Sequence, residues 1–323
     1  MNVSAGRFAT DRPSSRLHQT IGAIARAMRP SHWVKNLLVL VPTLTAHAWR
    51  DPLALSHALS VTVAFSLTAS AIYLVNDVLD APHDREHPVK RHRPVAAGTL
   101  TSRTALAVAC ILLGISWLII HNLGSTVEMV LGGYALLMLG YAVWMKRVLA
   151  LDIVVLAVGY TLRLAAGAAG IDVKLSPWLA AFSLFVFGSL AMLKRAAELR
   201  AVGLRELADT DAAHAARSHT ARRVRGRAYT SDDLPIVSTL GAAAGMVAVM
   251  VLALYVTSPD IRALYGRPEV LWLLCPTVLF WLVRLWVLAL RGVVREDPVL
   301  FAIRDLPSLA VLASCVAVVL LAL

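Results

Sequence analysis

From Trp33 onward the chain alternates between long apolar stretches and shorter polar ones. The apolar stretches run approximately over 33–50, 56–79, 102–121, 125–145, 150–170, 177–199, 234–257, 269–291 and 305–323. Most approach the roughly 20 residues that a helix needs to cross a hydrocarbon core. None shows the strict alternation over about ten residues expected of a membrane strand. Backbone groups in lipid must be satisfied within the segment, so each stretch is predicted to be a helix. The first is the least regular, because Lys35, Asn36 and Pro42 interrupt it. Residues 1–20 are polar, with Ser, Thr, Arg and Pro, and cannot build a core. The pattern therefore predicts a disordered tail over 1–25 and an all-α polytopic unit of nine transmembrane helices over 26–323. The apolar run near Trp33 starts late and lacks a small-residue cleavage site, so no signal peptide is expected there.

Composition strengthens the membrane reading. Apolar residues make up 58% of the chain and charged residues 16%, with a mean hydropathy of +0.69. Soluble domains are roughly half apolar and about a quarter charged. The surplus must face lipid, which excludes a disordered protein, a disulfide scaffold and an ordinary cytosolic enzyme. Cys110, Cys275 and Cys315 lie far apart in apolar runs and suggest neither a zinc site nor a disulfide framework.

The charge of +11 then becomes a topology signal. With the N-terminus in the cytoplasm and nine spans, 26 of the 31 basic residues fall inside. Only Arg50, Lys174, Arg262 and Arg267 fall outside, and Arg163 lies within a span. That asymmetry predicts a cytoplasmic N-terminus and an external C-terminus. The arginines of 217–227 read as a loop drawn to anionic lipid, and nucleic acid is not an expected partner.

The sharpest chemical signal is Asn76-Asp77-Val78-Leu79-Asp80-Ala81-Pro82-His83-Asp84, where the second apolar stretch ends. On a helical wheel with Asn76 at zero, Asp80, Asp84 and Asp77 fall at about 40°, 80° and 100°. Carboxylates crowded on one face repel each other unless a cation lies between them. Oxygen ligands of this kind suit Mg²⁺ shared with substrate phosphates. Pro82 is expected to disturb the last turn and so the placement of Asp84. The next residues, His87-Pro88-Val89-Lys90-Arg91-His92-Arg93-Pro94, form a cationic loop. Metal and cations gathered around a phosphate stabilise charge developing on a leaving group. Asp152 and Arg163 share a helix face about 16 Å apart, too far to pair. A charge inside a span is a functional candidate. Arg163 serves either a lipid phosphate or a structural hydrogen-bond network.

The motif NDxxDxxxD followed by HPxKRxRP and Ala-Gly resembles the UbiA superfamily of intramembrane prenyltransferases. That resemblance implies nine helices around a lipid-accessible cavity, with Mg²⁺-diphosphate bound under a cytoplasmic cap. Ordinary members carry a second DxxxD motif after the sixth helix, where this chain reads Lys194-Arg195-Ala196-Ala197-Glu198-Leu199-Arg200. Three stretches are similar to the branch containing decaprenyl-phosphate phosphoribosyltransferase. They are Arg29-Pro30-Ser31-His32-Trp33-Val34-Lys35-Asn36, the fifth-helix segments Leu151–Val154, Gly159–Arg163 and Ala166-Gly167, and KRxxEL at Lys194–Leu199. The branch implies a donor, phosphoribosyl pyrophosphate, and an acceptor, a polyprenyl phosphate. It also implies a role in cell-envelope precursor synthesis and a place in the bacterial plasma membrane. On this reading Asn76, Asp80 and Asp84 hold Mg²⁺, and Asp80, Asp84 and Lys90 are catalytic. Substrate contacts are expected from Lys35, Asp77, Arg91, Arg93, Lys146, Asp152, Arg163, Lys194, Arg195 and Glu198. The acceptor is already an anion, so no general base is required. The alternatives are transfer of an isoprenoid chain to a small acceptor, and a transporter. A transporter would show repeats and matched broken helices, and it would leave the aspartate cluster without a purpose.

Overall fold

The computed structural model describes residues 13–86, 89–210, 228–294 and 297–323. The helices are α1 (Pro13–Met28), α2 (Val41–Thr45), α3 (Pro52–Arg85), α4 (Ser102–Ile120), α5 (Ser125–Val143) and α6 (Leu151–Gly170). They continue with α7 (Pro177–Thr210), α8 (Leu234–Val256), α9 (Pro259–Leu264), α10 (Leu274–Leu290), α11 (Pro298–Ala302) and α12 (Leu306–Ala322). Among the described residues, seven helices are long and apolar enough to cross a membrane, and α12 is a shorter apolar helix. Large apolar side chains such as Leu118, Met129, Leu136 and Phe280 point outward, as lipid contact requires. The chain is a multi-pass, all-α membrane protein.

Eight of the nine apolar stretches become helical, but α3 runs six residues and α7 eleven residues past the expected ends, and the stretch over 269–291 opens with a 3-10 helix, Pro268–Leu273, before α10. The stretch over 33–50 forms no long α-helix. It folds as a 3-10 helix, Pro30–Leu40, followed by the short α2 and a further 3-10 turn, Ala48–Arg50. Irregular backbone is tolerated at membrane depth only where protein covers it. The cover here is α6: a Cβ on Gly167 would lie 1.9 Å from the Val39 carbonyl oxygen, so only glycine lets the two backbones approach. Asn36 is buried and its amide donates to Ser66 Oγ at 3.0 Å, which pins the same segment to α3.

The expected tail is corrected over residues 13–25. They form most of α1, whose Ala23 and Ala27 are buried against Ala71, Leu74 and Ala105. Small residues every fourth position give a close-packing face that a polarity count overlooks. Residues 1–12 of the expected tail lie outside the described residues, as do the arginines of 217–227.

Two helices set the position of the site. Both α3 and α7 have 34 residues, about 51 Å of helix against a hydrocarbon core of roughly 30 Å. Each carries its Asp, Glu, Lys and Arg residues in its C-terminal half. The Asp51 side chain caps α3 by accepting from Leu53 N at 2.9 Å, with Pro52 at its first position. Pro82 does not end the helix, which runs on to Arg85, so Asp84 stays on the same helical surface as Asp77 and Asp80.

Candidate active site

The C-terminal half of α3, the C-terminal half of α5, the middles of α6 and α7, the segment after Arg29 and the start of α11 surround a cavity of about 340 Å³. Ten of the residues singled out in the sequence line it: Lys35, Asn76, Asp80, Lys90, Arg93, Lys146, Arg163, Lys194, Arg195 and Glu198. Asp77, Asp84, Arg91 and Asp152 do not.

One side of the cavity is built on α3. The Asn76 amide donates to Asp80 Oδ2 at 3.0 Å, the contact expected of residues one turn apart. The buried Lys146, in the turn between α5 and α6, donates to Asn76 Oδ1 at 3.0 Å and to Asp80 Oδ1 at 2.6 Å. An amide oxygen and a carboxylate oxygen thus converge on one cation. That donor set fits a hard divalent ion completed by phosphate oxygens and water. Among the described residues no group of three or more His, Cys, Asp or Glu side chains forms a self-sufficient metal cage.

Asp77 and Asp84 depart from the expected arrangement. Arg93 Nη1 reaches Asp84 Oδ2 at 2.7 Å and Asp77 Oδ1 at 3.4 Å, and Arg29 Nη2 reaches the same Asp77 oxygen at 2.5 Å. The two acids bind the cationic loop to the helix end instead of facing the cavity with Asn76 and Asp80. A wheel places residues on a face but does not say which neighbour reaches that face first. Arg29 holds a left-handed backbone conformation, φ 53°, unfavourable for a residue with a side chain. Its guanidinium lies 4.9 Å from the Tyr73 ring centre. Arg91 is exposed, its Nε directed at His92, and lies away from the cavity lining. His87 and Pro88 of the same motif lie outside the described residues. Lys90 sits at the mouth, where partial burial and the neighbouring Arg93 pull its pKa down against the opposing pull of Asp84, Glu198 and Asp80.

The adjacent basic residues of α7 have different fates. Lys194 faces the cavity and donates to Asp297 Oδ2 at 3.3 Å. Arg195 is buried, its guanidinium committed to Asp152 Oδ2 at 2.6 Å and to Glu198. Asp152, expected near substrate, is fully buried and also accepts from the Tyr229 hydroxyl at 2.9 Å. Tyr229 in turn accepts from Ala150 N at 3.0 Å, tying the segment before α8 to the start of α6. This cluster is an internal ion pair beside the cavity, not a set of charges waiting for ligand.

Deeper in, Arg163 closes a network of neutral groups. Its Nε donates to Asn36 Oδ1 at 2.8 Å, Nη1 to the Gly159 carbonyl at 2.6 Å and Nη2 to the Tyr134 hydroxyl at 2.9 Å. Its guanidinium carbon lies 4.8 Å and 5.2 Å from the Tyr134 and Tyr160 ring centres. Arg163 thus sits in a hydrogen-bond network and also lines the cavity, a position compatible with both roles expected of it.

Sequence reasoning did not select Arg29, the tyrosines or Asp297 as site residues. Asp297 is the acid whose Oδ2 accepts from Lys35 at 2.6 Å and Lys194 at 3.3 Å. Burial pushes its carboxyl up, but the Lys35 and Lys194 ammonium groups outweigh burial and hold it well below the ordinary carboxylate range. The signal was an acid at the N-cap of a short helix, which alone says only that a helix begins.

A paired amide–carboxylate grip and a cation-lined cavity at one end of a helical membrane bundle fit the family model that matches residues 39–222, the UbiA prenyltransferase family. The chain belongs to the UbiA prenyltransferase family. It is a membrane-embedded transferase. A relative named nodulation protein NoeC, from Azorhizobium caulinodans, is 32% identical over 88% of this chain and 87% of its own length. Decaprenyl-phosphate phosphoribosyltransferase of Mycobacterium tuberculosis is 36% identical over 69% of this chain and 71% of its own. A UbiA homologue from Archaeoglobus fulgidus, solved bound to GPP and Mg²⁺, superposes with a TM-score of 0.66 at 13% identity. That match covers 92% of this chain and 99% of the other, and it establishes the shared fold. Of the cavity lining, Arg29, His32, Lys35, Asp297, Pro298 and Val299 fall outside the family-model match.

Proposed function

We propose that the protein transfers a 5-phosphoribosyl group from phosphoribosyl pyrophosphate to a polyprenyl phosphate and releases pyrophosphate. In the reaction the ribosyl C1–O bond to pyrophosphate breaks, and its electron pair leaves on pyrophosphate. A lipid phosphate oxygen forms the new bond to C1. The observation that carries the reading is the division of the cavity into two charged subsites. One is the Asn76–Asp80–Lys146 cluster, and the other is Lys35 and Lys194 around Asp297. A donor with a pyrophosphate at one end and a phosphate monoester at the other needs two such subsites.

Asn76 and Asp80 would hold Mg²⁺ with the pyrophosphate oxygens. When bound, the ion neutralises charge building on the leaving group. Lys146, Lys90 and Arg93 add donors on the same side, already positioned before charge develops. Lys35 and Lys194 hold the 5-phosphate. The acceptor phosphate is an anion and needs no proton removed. The relative named decaprenyl-phosphate phosphoribosyltransferase supports this reading. So does Lys194, a cavity-facing cation where ordinary members of the family are expected to carry the second DxxxD motif. The site opens at the end of the bundle that we assign to the cytoplasm of a bacterial plasma membrane, since a charged water-soluble donor must reach it.

The test is incubation of purified protein with phosphoribosyl pyrophosphate, Mg²⁺ and a polyprenyl phosphate, followed by mass spectrometry of the lipid. A phosphoribosylated lipid is expected. Consumption of farnesyl or geranylgeranyl diphosphate with an aromatic acceptor, and no use of phosphoribosyl pyrophosphate, would overturn the proposal in favour of chain transfer.

A further inference from the structure

Asp297, at the start of α11, reaches the cavity from the C-terminal part of the chain that the family model leaves unmatched. Asp297 makes two kinds of contact, one with each carboxylate oxygen. Oδ1 accepts from Val299 N at 3.2 Å and caps α11. Oδ2 accepts from Lys35 and Lys194, which come from opposite parts of the chain. Two long, flexible ammonium side chains with no anion between them would repel each other and take many rotamers. Meeting at one oxygen, their nitrogens lie within a few ångströms of each other, and each has spent one of its three N–H donors. The remaining donors are left at a spacing fixed by the carboxylate.

We infer that Asp297 is a positioning residue that sets Lys35 and Lys194 as a ready-made clamp for a phosphate monoester, the 5-phosphate of the donor. The inference rests on the phosphoribosyl reading above. It makes Asp297 a determinant of donor choice, because a donor without a second phosphate gains nothing from the clamp. The triad retains one net positive charge, so the acid orders the lysines without cancelling their attraction for an anion. The cap and the clamp use different oxygens, and this makes them separable. Asn and Ser both cap helices well, yet neither carries the charge that gathers the lysines.

The experiment uses the full-length protein with Asp297→Asn, Asp297→Ser and Asp297→Glu. Two quantities are read: the KM for phosphoribosyl pyrophosphate, and the inhibition constant of inorganic pyrophosphate, which lacks the 5-phosphate. Asp297→Asn should raise the donor KM on the order of tenfold, leave kcat nearly unchanged and leave pyrophosphate inhibition as in the wild type. Asp297→Ser should do the same, and it serves if the Asn variant does not fold. Asp297→Glu should return the KM toward the wild-type value. Adding Asp297→Asn to Lys194→Ala should cost less than the product of the single effects, because the acid acts through that lysine. An unchanged KM, an equal shift in pyrophosphate inhibition or fully multiplicative effects would overturn the inference and leave the phosphoribosyl reading standing. A wild-type enzyme that does not use phosphoribosyl pyrophosphate would remove both.

Discussion

Lys194 and Arg195 are neighbours of the same charge, and the structure predicts opposite phenotypes for their removal. Arg195 is 1% exposed and its guanidinium lies 2.6 Å from the carboxylate of Asp152, itself 0% exposed. Arg195→Ala takes the cation from a buried acid and leaves a void the size of a large side chain. Breaking a buried pair from one side costs about 3–5 kcal/mol. For a protein of this size that corresponds to a fall in apparent Tm of roughly 5–10 °C. Lys194 is 36% exposed, and its Nζ is 3.3 Å from Asp297. Lys194→Ala leaves Asp297 still paired with Lys35 at 2.6 Å and should leave the melt within about 0.5 kcal/mol of the wild type. Its effect should fall on donor binding, where losing a charge-assisted contact costs about 1.5–3 kcal/mol, on the order of 10- to 100-fold in KM. The assay pairs a tryptophan-fluorescence melt in detergent with donor saturation curves. Asp152→Asn combined with Arg195→Met, which removes both charges, should recover part of the stability lost in Arg195→Ala. An Arg195→Ala protein that melts like the wild type but binds donor weakly would refute the assignment and return Arg195 to the substrate set.

Three further outcomes follow from the geometry. Asp80→Asn should fold normally but lose turnover, and EDTA should stop wild-type turnover with Mg²⁺ restoring it; full activity in Asp80→Asn would refute the grip at Asn76 and Asp80. Lys90 has a lowered pKa, so its charge is lost on raising pH before that of an ordinary lysine. The alkaline limb of kcat/KM should therefore move to higher pH in Lys90→Arg, and an unmoved limb would detach Lys90 from the reaction. Arg163→Leu takes the donor from the Asn36 side-chain oxygen and from the Tyr134 hydroxyl, each an unmet polar group costing about 1–3 kcal/mol. A large loss in the melt should result, and an unaffected melt would exclude the structural role.

The long apolar runs were legible in the sequence because twenty residues of one character have few ways to be arranged in a bilayer. Eight of them are helical, although α3 and α7 run well past the limits that apolar character alone marked. The segment after Arg29 was not legible as a broken helix. Lys35, Asn36 and Pro42 signalled irregularity, but its cause is the backbone contact at Gly167, which only packing reveals. In the site, the one-turn spacing of Asn76 and Asp80 gave their common direction. The same spacing could not show that Arg93 and Arg29 would capture Asp84 and Asp77, because those partners arrive from a loop and from the far side of a turn. The contrast between Lys194 and Arg195 has the same origin. Neighbouring helical residues point about 100° apart, so one meets the cavity and the other meets Asp152. Asp297 was hidden most completely: its partners lie 262 and 103 residues away.

The 34-residue α3 exceeds the hydrocarbon core by about 20 Å of helix, and the excess lies at the end that carries Asn76 and Asp80. The Asn76–Asp80 side of the cavity is therefore a raised rim, level with the headgroups and the water above them. A lipid can present its polar end there without withdrawing its tail from oil. Each methylene pulled into water would cost about 0.8 kcal/mol, so ten that stay submerged avoid about 8 kcal/mol. On the proposed phosphoribosyl transfer, a soluble donor would meet an insoluble acceptor at their natural boundary, and the length of α3 would set the height of the meeting place.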